Sequence, residues 1–359
     1  MNHLQHYDFL IAGQGLAGSL LAYELIRSGK KVLVVDERAK ENSSRIAAGM
    51  IHPVTGRRLS KSWRADLFIA TAINRYQELE QLSGKKLFHE IPVLEIFSDH
   101  GNRNDWLGKT TDPEFNRFIG EECTPNLIHP AIIAPLGGQW VHHGGWLDMV
   151  LFLDTMYTYF LANESFCEGR IESGDVQFLS DGVQWKNIQA TKLINCGGNA
   201  TTQDPFWKWI PFIPAKGELL VIACDHLPKD YIIHHTVKVI PLIDNKFKIG
   251  ATYTWNEKDN LPTEAGKLKL IDGLSKTINV PYSIIDHQAG IRPSTHDRRA
   301  YLGAHPHFPQ LAIFNGLGSK GVMEGPWLAA KMAAFLLGKD SLELDYSIER
   351  CLEKFESTQ

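Results

Sequence analysis

The feature that most constrains this chain lies at its start. Tyr7 to Ala12 is a short apolar run, Gly13-Gln14-Gly15-Leu16-Ala17-Gly18 follows, and apolar residues then recur at helical spacing from Leu16 to Ser28. Gly29 stops that helix, and Lys31 to Val35 forms a second apolar, β-branched run ending in Asp36. Strand, glycine-rich turn, helix, strand and terminal acid together make a dinucleotide fingerprint. Gly13 permits the tight turn, Gly15 lets the backbone approach a pyrophosphate, and Gly18 lets the helix close on the sheet. The helix N-terminus offers unpaired N–H groups to phosphate, and Asp36 is placed to accept from a ribose. This motif alone leaves FAD and NAD equally open.

Around it the chain reads as an ordinary globular protein. It has 359 residues, 43% hydrophobic and 22% charged, enough for one elaborated domain or two. A net charge of −4 provides no global attraction for nucleic acid or anionic membrane. The five cysteines are scattered with no CxxC, and the fifteen histidines show no HExxH, so no metal site is expected. His142-His143, His234-His235 and His305/His307 read as loop histidines. No signal peptide and no membrane-spanning run are expected, which makes the chain cytoplasmic on this reading.

Helices are expected at Arg64 to Leu82, Leu147 to Leu161, Thr263 to Ile278 and Pro326 to Leu337. Lys85 to Trp140 reads as mixed strands and loops. Gly217 to Cys224, Tyr231 to Thr236, Lys238 to Ile243 and Lys246 to Trp255 are consecutive strands, which implies an antiparallel sheet. The fold class is therefore α/β with α+β insertions: a Rossmann-like FAD/NAD(P)-binding domain and a second, antiparallel-sheet substrate domain. The first takes residues 1–84, 141–204 and 286–359, and the second 85–140 and 205–285.

Three further segments carry a family resemblance: Ser43-Ser44-Arg45-Ile46-Ala47-Ala48-Gly49-Met50, Leu193-Ile194-Asn195-Cys196-Gly197-Gly198, and Asn315-Gly316-Leu317-Gly318-Ser319-Lys320-Gly321-Val322. In these the chain resembles the D-amino-acid-oxidase-type flavoproteins, close in pattern to glycine oxidase and sarcosine oxidase. It is also similar to the FAD-dependent domain of the bifunctional enzyme that modifies the wobble uridine of tRNA. The resemblance implies a noncovalent FAD touching Ser44, Arg45, Ala48, Gly49, Met50, Cys196, Gly197 and Gly198. Glu37 and Arg38 beside Asp36, together with Ile171, complete the expected contacts. His52 is the residue to consider for a covalent flavin bond. The turn Gly316 to Val322 is implied to lie at the pyrimidine edge of the flavin. There its amides and Lys320 would stabilise negative charge.

Ala289-Gly290-Ile291-Arg292-Pro293-Ser294 resembles the glycine oxidase segment whose arginine clamps the substrate carboxylate. A guanidinium suits that task because its planar fork makes two parallel hydrogen bonds. Tyr253 is expected on a strand, pointing over the flavin. The implied reaction is oxidation of the C–N bond of an amino acid or secondary amine. Hydride passes to flavin N5 and leaves an imine. Two alternatives stand beside it: the same chemistry on a carboxymethylaminomethyl-uridine of tRNA, with Arg57, Arg58, Lys61 and Arg64 meeting phosphate, and an electron-transfer flavoprotein with no amine substrate. The aromatic-rich stretch Asp204 to Phe212 and the run Met50 to Pro53 match no glycine oxidase segment.

Overall fold

The computed structural model describes residues 4–39, 42–56, 58–255 and 259–357. Arg57, one of the basic residues singled out above, lies outside them. Five strands form a parallel core in the order β11 (Phe166–Glu168), β2 (Val32–Asp36), β1 (Gln5–Ala12), β14 (Ile188–Asn195) and β22 (Leu311–Asn315). Antiparallel β21 (Tyr301–Ala304), β13 (Val183–Trp185) and β12 (Val176–Phe178) extend this to eight strands. Alternation explains why the first strands read as unbroken apolar runs. Phe9, Ile11, Val32 and Val34 face one core, while Leu10, Leu33 and Val35 face the other.

The first core is closed by four helices: α1 (Leu16–Arg27), α3 (Ala65–Ser83), α5 (Met149–Ala162) and α7 (Gly321–Leu336). On the opposite face, Trp207, Trp209 and Ile210 pack with Trp185 and Tyr301. The aromatic-rich stretch 204–212 is therefore core. The short α8 (Leu352–Ser357) joins it through Phe355.

The second layer is a nine-stranded sheet. Its path is β19 (Thr254–Trp255), β15 (Ala215–Ala223), β18 (Lys246–Gly250), β17 (Lys238–Pro241), β16 (Ile232–His234), β7 (Val93–Ile96), β9 (Gly138–Val141) and β8 (Ile119–Cys123). The ten-residue β20 (Ser283–Arg292) pairs with β15 along nearly its whole length. Helix α6 (Glu264–Ser275) covers the sheet with Leu270 and Leu274. A three-stranded sheet, β3 (Met50–Ile51), β10 (Gly145–Leu147) and β6 (Phe88–Glu90), and a hairpin, β4 (Val54–Thr55) and β5 (Ser60–Lys61), complete the strands. The remaining helices are α2 (Ser43–Ile46) and α4 (His100–Thr110). Among the described residues no helix is long and apolar enough to cross a membrane.

Three sequence expectations need correction here. Helix α4 arises within the segment read as strands and loops. Asp99 accepts its Asn102 N–H as an N-cap, and Trp106 is the one side chain it buries. Lys246 to Trp255 is not one strand. β15 pairs with β18 up to Leu219↔Gly250 and with β19 from Lys216↔Thr254, so one extra residue bulges out and Tyr253 lies on neither strand.

Helix α7 starts at Gly321, so Pro326 lies inside it rather than opening it. The proline leaves the Val322 carbonyl without its helical donor, and the buried Tyr76 hydroxyl donates to it at 2.7 Å. Tyr76→Phe orphans that carbonyl and is expected to cost about 1–3 kcal/mol, read from urea unfolding at unchanged slope.

Candidate active site

A cleft of about 1540 Å³ opens between the parallel core and the nine-stranded sheet, larger than most ligand pockets. Its nucleotide side follows from the first turn. Gly13 has φ +106°, and a Cβ there would sit 2.7 Å from the Cys196 carbonyl oxygen, at the meeting of β1 and β14. A Cβ on Gly18 would overlap the Gly13 carbonyl, so glycine here sets how closely α1 approaches the sheet. Gly15 caps α1 without any side-chain bond, and the Leu16 N–H donates to Ser44 Oγ at 3.1 Å. Asp36 holds the turn by accepting from the Gln14 and Arg38 N–H groups at 2.7 and 2.6 Å. Gly13, Gly15, Leu16, Ala17 and Asp36 all line the cleft.

The other motifs arrive at the same cavity. Ser44, Ala48, Gly49 and Met50 line it, as do Cys196, Gly197 and Gly198 from the end of β14. Gly316 to Val322 lines it where α7 begins, again with no side-chain cap on the helix. Lys320 donates to Ser62 Oγ at 3.1 Å, and burial lowers its pKa. Lys248 ties the two layers together by donating to the Ile46 and Ala47 carbonyls at 3.2 and 2.9 Å. Burial pulls its pKa down to about 8.

Some expected residues stay outside. Gly18 is a packing residue. Arg38 and Arg45 both pair with Asp154 on α5, and Glu37 is exposed, 4.0 Å from Arg170. Ile171 lines a separate small crevice with Val176 and Trp207, although its neighbour Arg170 reaches the cleft. His52 lines the cleft with both ring nitrogens engaged, Nδ1 accepting from the Val54 N–H and Nε2 bonded to Glu95. Lys61 pairs with Asp66 and Arg64 with Glu343, so both cations already have carboxylate partners.

On the substrate side, Arg292 ends β20 with its guanidinium lying across Gly217 of β15, where a Cβ would overlap it. Its Nη1 is buried with no hydrogen-bond partner, and burial lowers its pKa. The Tyr253 ring centroid lies 5.3 Å from the guanidinium carbon, and Tyr253 is 45% exposed.

Two groups were missed in the sequence. His52, Glu95 and His234 place donor atoms within 4.8 Å of one another, with both imidazoles bonded to Glu95 Oε1. Burial alone would raise the Glu95 pKa, but the two imidazoles reverse this and hold it below the usual range. The ammonium of Lys238, also in the cleft lining, faces this cluster and opposes a bound cation. No local pattern links positions 52, 95 and 234. Lys238 carried only the weak signal of a charge in an apolar strand.

Glu324, buried in the first turn of α7, has its pKa pushed up to about 7 by burial. Between pH 4.5 and 7 the folded chain keeps a proton that the unfolded chain has lost. Stability is therefore full below pH 4.5 and falls as pH rises through 7, by about 3 kcal/mol in all. Glu324→Gln is expected to flatten this slope in urea titrations across that range.

Residues 8–336 match the family model described as FAD dependent oxidoreductase. The chain belongs to that family. An oxidoreductase of Bacillus subtilis called YurR is 39% identical over 375 residues, covering 95% of this chain and 97% of its own. The bifunctional tRNA 5-methylaminomethyl-2-thiouridine biosynthesis protein MnmC of Haemophilus ducreyi is 21% identical over 92% of this chain, which spans only 56% of that relative. The crystal structure of glycine oxidase from Geobacillus kaustophilus superposes with a TM-score of 0.80 at 19% identity, covering 94% of this chain and 96% of that one. The fold is thus that of the FAD-binding oxidoreductases, and FAD is the cofactor. The cleft suits it through the side-chain-free turn at Gly13 and Gly15, the two helix N-termini without side-chain caps, and Asp36 at the end of β2.

Proposed function

We propose that this flavoenzyme oxidises the C–N bond of an amino acid or secondary amine that carries a carboxylate, with Arg292 holding that carboxylate. The supporting observation is the guanidinium itself: Arg292 is half-buried, lines the cleft, and has a buried Nη1 lacking any partner. Such a group costs free energy in the empty protein and regains it when an anion fills the fork. Bound FAD supplies the acceptor for the two electrons.

The chain's own part is binding and placement. Arg292 fixes one end of the substrate, Tyr253 flanks the guanidinium, and Gly217, bare of a side chain, leaves room for the guanidinium to lie across it. Lys320 and the N-terminus of α7 put positive charge along another wall, suited to negative charge developing there. Once the amine is an imine, water completes its hydrolysis without needing a protein base. The engaged nitrogens of His52 favour a noncovalent FAD. A carboxymethylaminomethyl nucleoside presents the same glycine-like amine, and Arg58 lines the cleft, but the pairing of Lys61 and Arg64 with carboxylates favours a small free substrate.

Steady-state turnover with an artificial electron acceptor tests this reading on matched pairs, such as sarcosine against dimethylamine and alanine against ethylamine. Turnover is expected only of the members bearing a carboxylate. Equal rates within each pair, or no turnover of either member, would overturn the reading.

A further inference from the structure

The face of the nine-stranded sheet that floors the cleft carries a second cation. Directly opposed residues of an antiparallel pair share a face, as do alternate residues along a strand. Lys238 of β17 opposes Gly250 of β18, Gly250 opposes Leu219 of β15, and Leu219 opposes Gln288 of β20. Lys238, Leu219, Gly217, Gly290 and Arg292 therefore share one face, and all of them line the cleft.

The two cations are held apart. The Arg292 guanidinium lies over Gly217 on β15, and Lys238 starts two strands away, about 10 Å across the sheet. Leu219 lies between them, its side chain covering Gly250 so closely that a Cβ there would overlap it. Among the described residues no carboxylate pairs with either cation. Glu95, which faces Lys238, gives Oε1 to His52 and His234. Burial lowers the Lys238 pKa, the Glu95 carboxylate partly offsets this, and Arg292 lowers it again. One carboxylate on the Arg292 fork leaves Lys238 with only Glu95, whose Oε1 is shared by two imidazoles, to offset its charge. A ligand with two anionic groups joined by a short link compensates both.

We propose that Lys238 is a second anion-binding group of the substrate cleft and that the substrate is an aminodicarboxylate. The second carboxylate sits on the amine nitrogen or on the side chain. The amine-oxidation part of this inference rests on the function proposed above, while the anion subsite stands on Lys238 alone.

Two measurements on the FAD-loaded enzyme test it. In turnover, iminodiacetate and the two enantiomers of aspartate are compared with sarcosine and alanine, for wild type, Lys238→Met and Lys238→Arg. The wild type is expected to prefer a dianion in kcat/KM by on the order of tenfold or more. Lys238→Met loses that ratio and Lys238→Arg restores it. Iminodiacetate and aspartate distinguish a carboxylate on nitrogen from one on the side chain.

In binding, the unreactive probes malonate and succinate are expected to raise the wild-type Tm more than acetate at equal ionic strength, and Lys238→Met abolishes the difference. Malonate selectivity with no amine turned over would sink the oxidase reading and leave the subsite standing. A wild type that favours monoacids, or a ratio unchanged in Lys238→Met, overturns the subsite, as does acetate matching malonate in the wild type.

Discussion

Arg292→Ala is expected to lower kcat/KM for a carboxylate-bearing amine by about 10²- to 10³-fold. Truncating one partner of a buried, hydrogen-bonded charge pair costs about 2–5 kcal/mol, and each 1.4 kcal/mol is tenfold. The loss falls mainly on KM, because the carboxylate is held alike in the ground and transition states. Arg292→Lys keeps the charge but loses the two-pronged fork, so it recovers only part of the rate. Gly217→Ala approaches the same site from below. Its new methyl meets the end of a flexible side chain rather than backbone, so the protein folds while the guanidinium is displaced. Activity should fall in the same direction, with FAD content unchanged. Steady-state kinetics on all three variants, normalised to bound flavin, provide the check.

Gly15→Val is expected to yield a folded protein that has lost FAD, with affinity reduced by about 100-fold or more on the scale of 1.4 kcal/mol per tenfold. At Gly15 φ is −73°, in a range that any residue adopts, and a Cβ meets nothing nearer than Ser44 Oγ at 3.1 Å. The backbone therefore tolerates a side chain. The remaining methyl groups take up the approach to the N-terminus of α1, where a pyrophosphate needs bare backbone. Gly18→Ala makes the contrast, since its methyl would overlap the Gly13 carbonyl and α1 must move away from the sheet. Flavin released on denaturation and near-UV circular dichroism separate the two outcomes. Gly15→Val should keep its tertiary signal without flavin, and Gly18→Ala should lose both.

The nucleotide half was legible because its signals are local. Glycine spacing, an apolar run buried on both faces and a terminal acid occupy consecutive residues from Tyr7 to Asp36, and sequence order alone brings them together. Legibility failed where assembly depends on distant pairing. Glu95 and His234 lie on the paired strands β7 and β16, His52 lies between β3 and β4 far from both in the chain, and Lys238 enters the cleft only because β17 pairs with β18 and β18 with β15. The start of α7 was misplaced because Pro326 signals a helix start, whereas Tyr76, 250 positions earlier, supplies the missing donor. Helix α4 was overlooked because only Trp106 of its eleven residues is buried, which leaves no apolar stripe to read. Arg38 and Arg45, expected at the cofactor, pair with Asp154, a partner more than a hundred residues away that no local pattern announces.

Electron transfer from a carboxylate-bearing amine to FAD in this cleft is checked by recording the visible spectrum of the purified FAD-loaded protein, without oxygen, as amino acids and N-substituted amino acids are added one at a time. At least one of them is expected to bleach the oxidised flavin bands at a rate that saturates with concentration, and the same amine is expected to leave the flavin of Arg292→Ala oxidised at that concentration. Flavin bands that no such amine bleaches, or bleaching that proceeds equally well without Arg292, would contradict it.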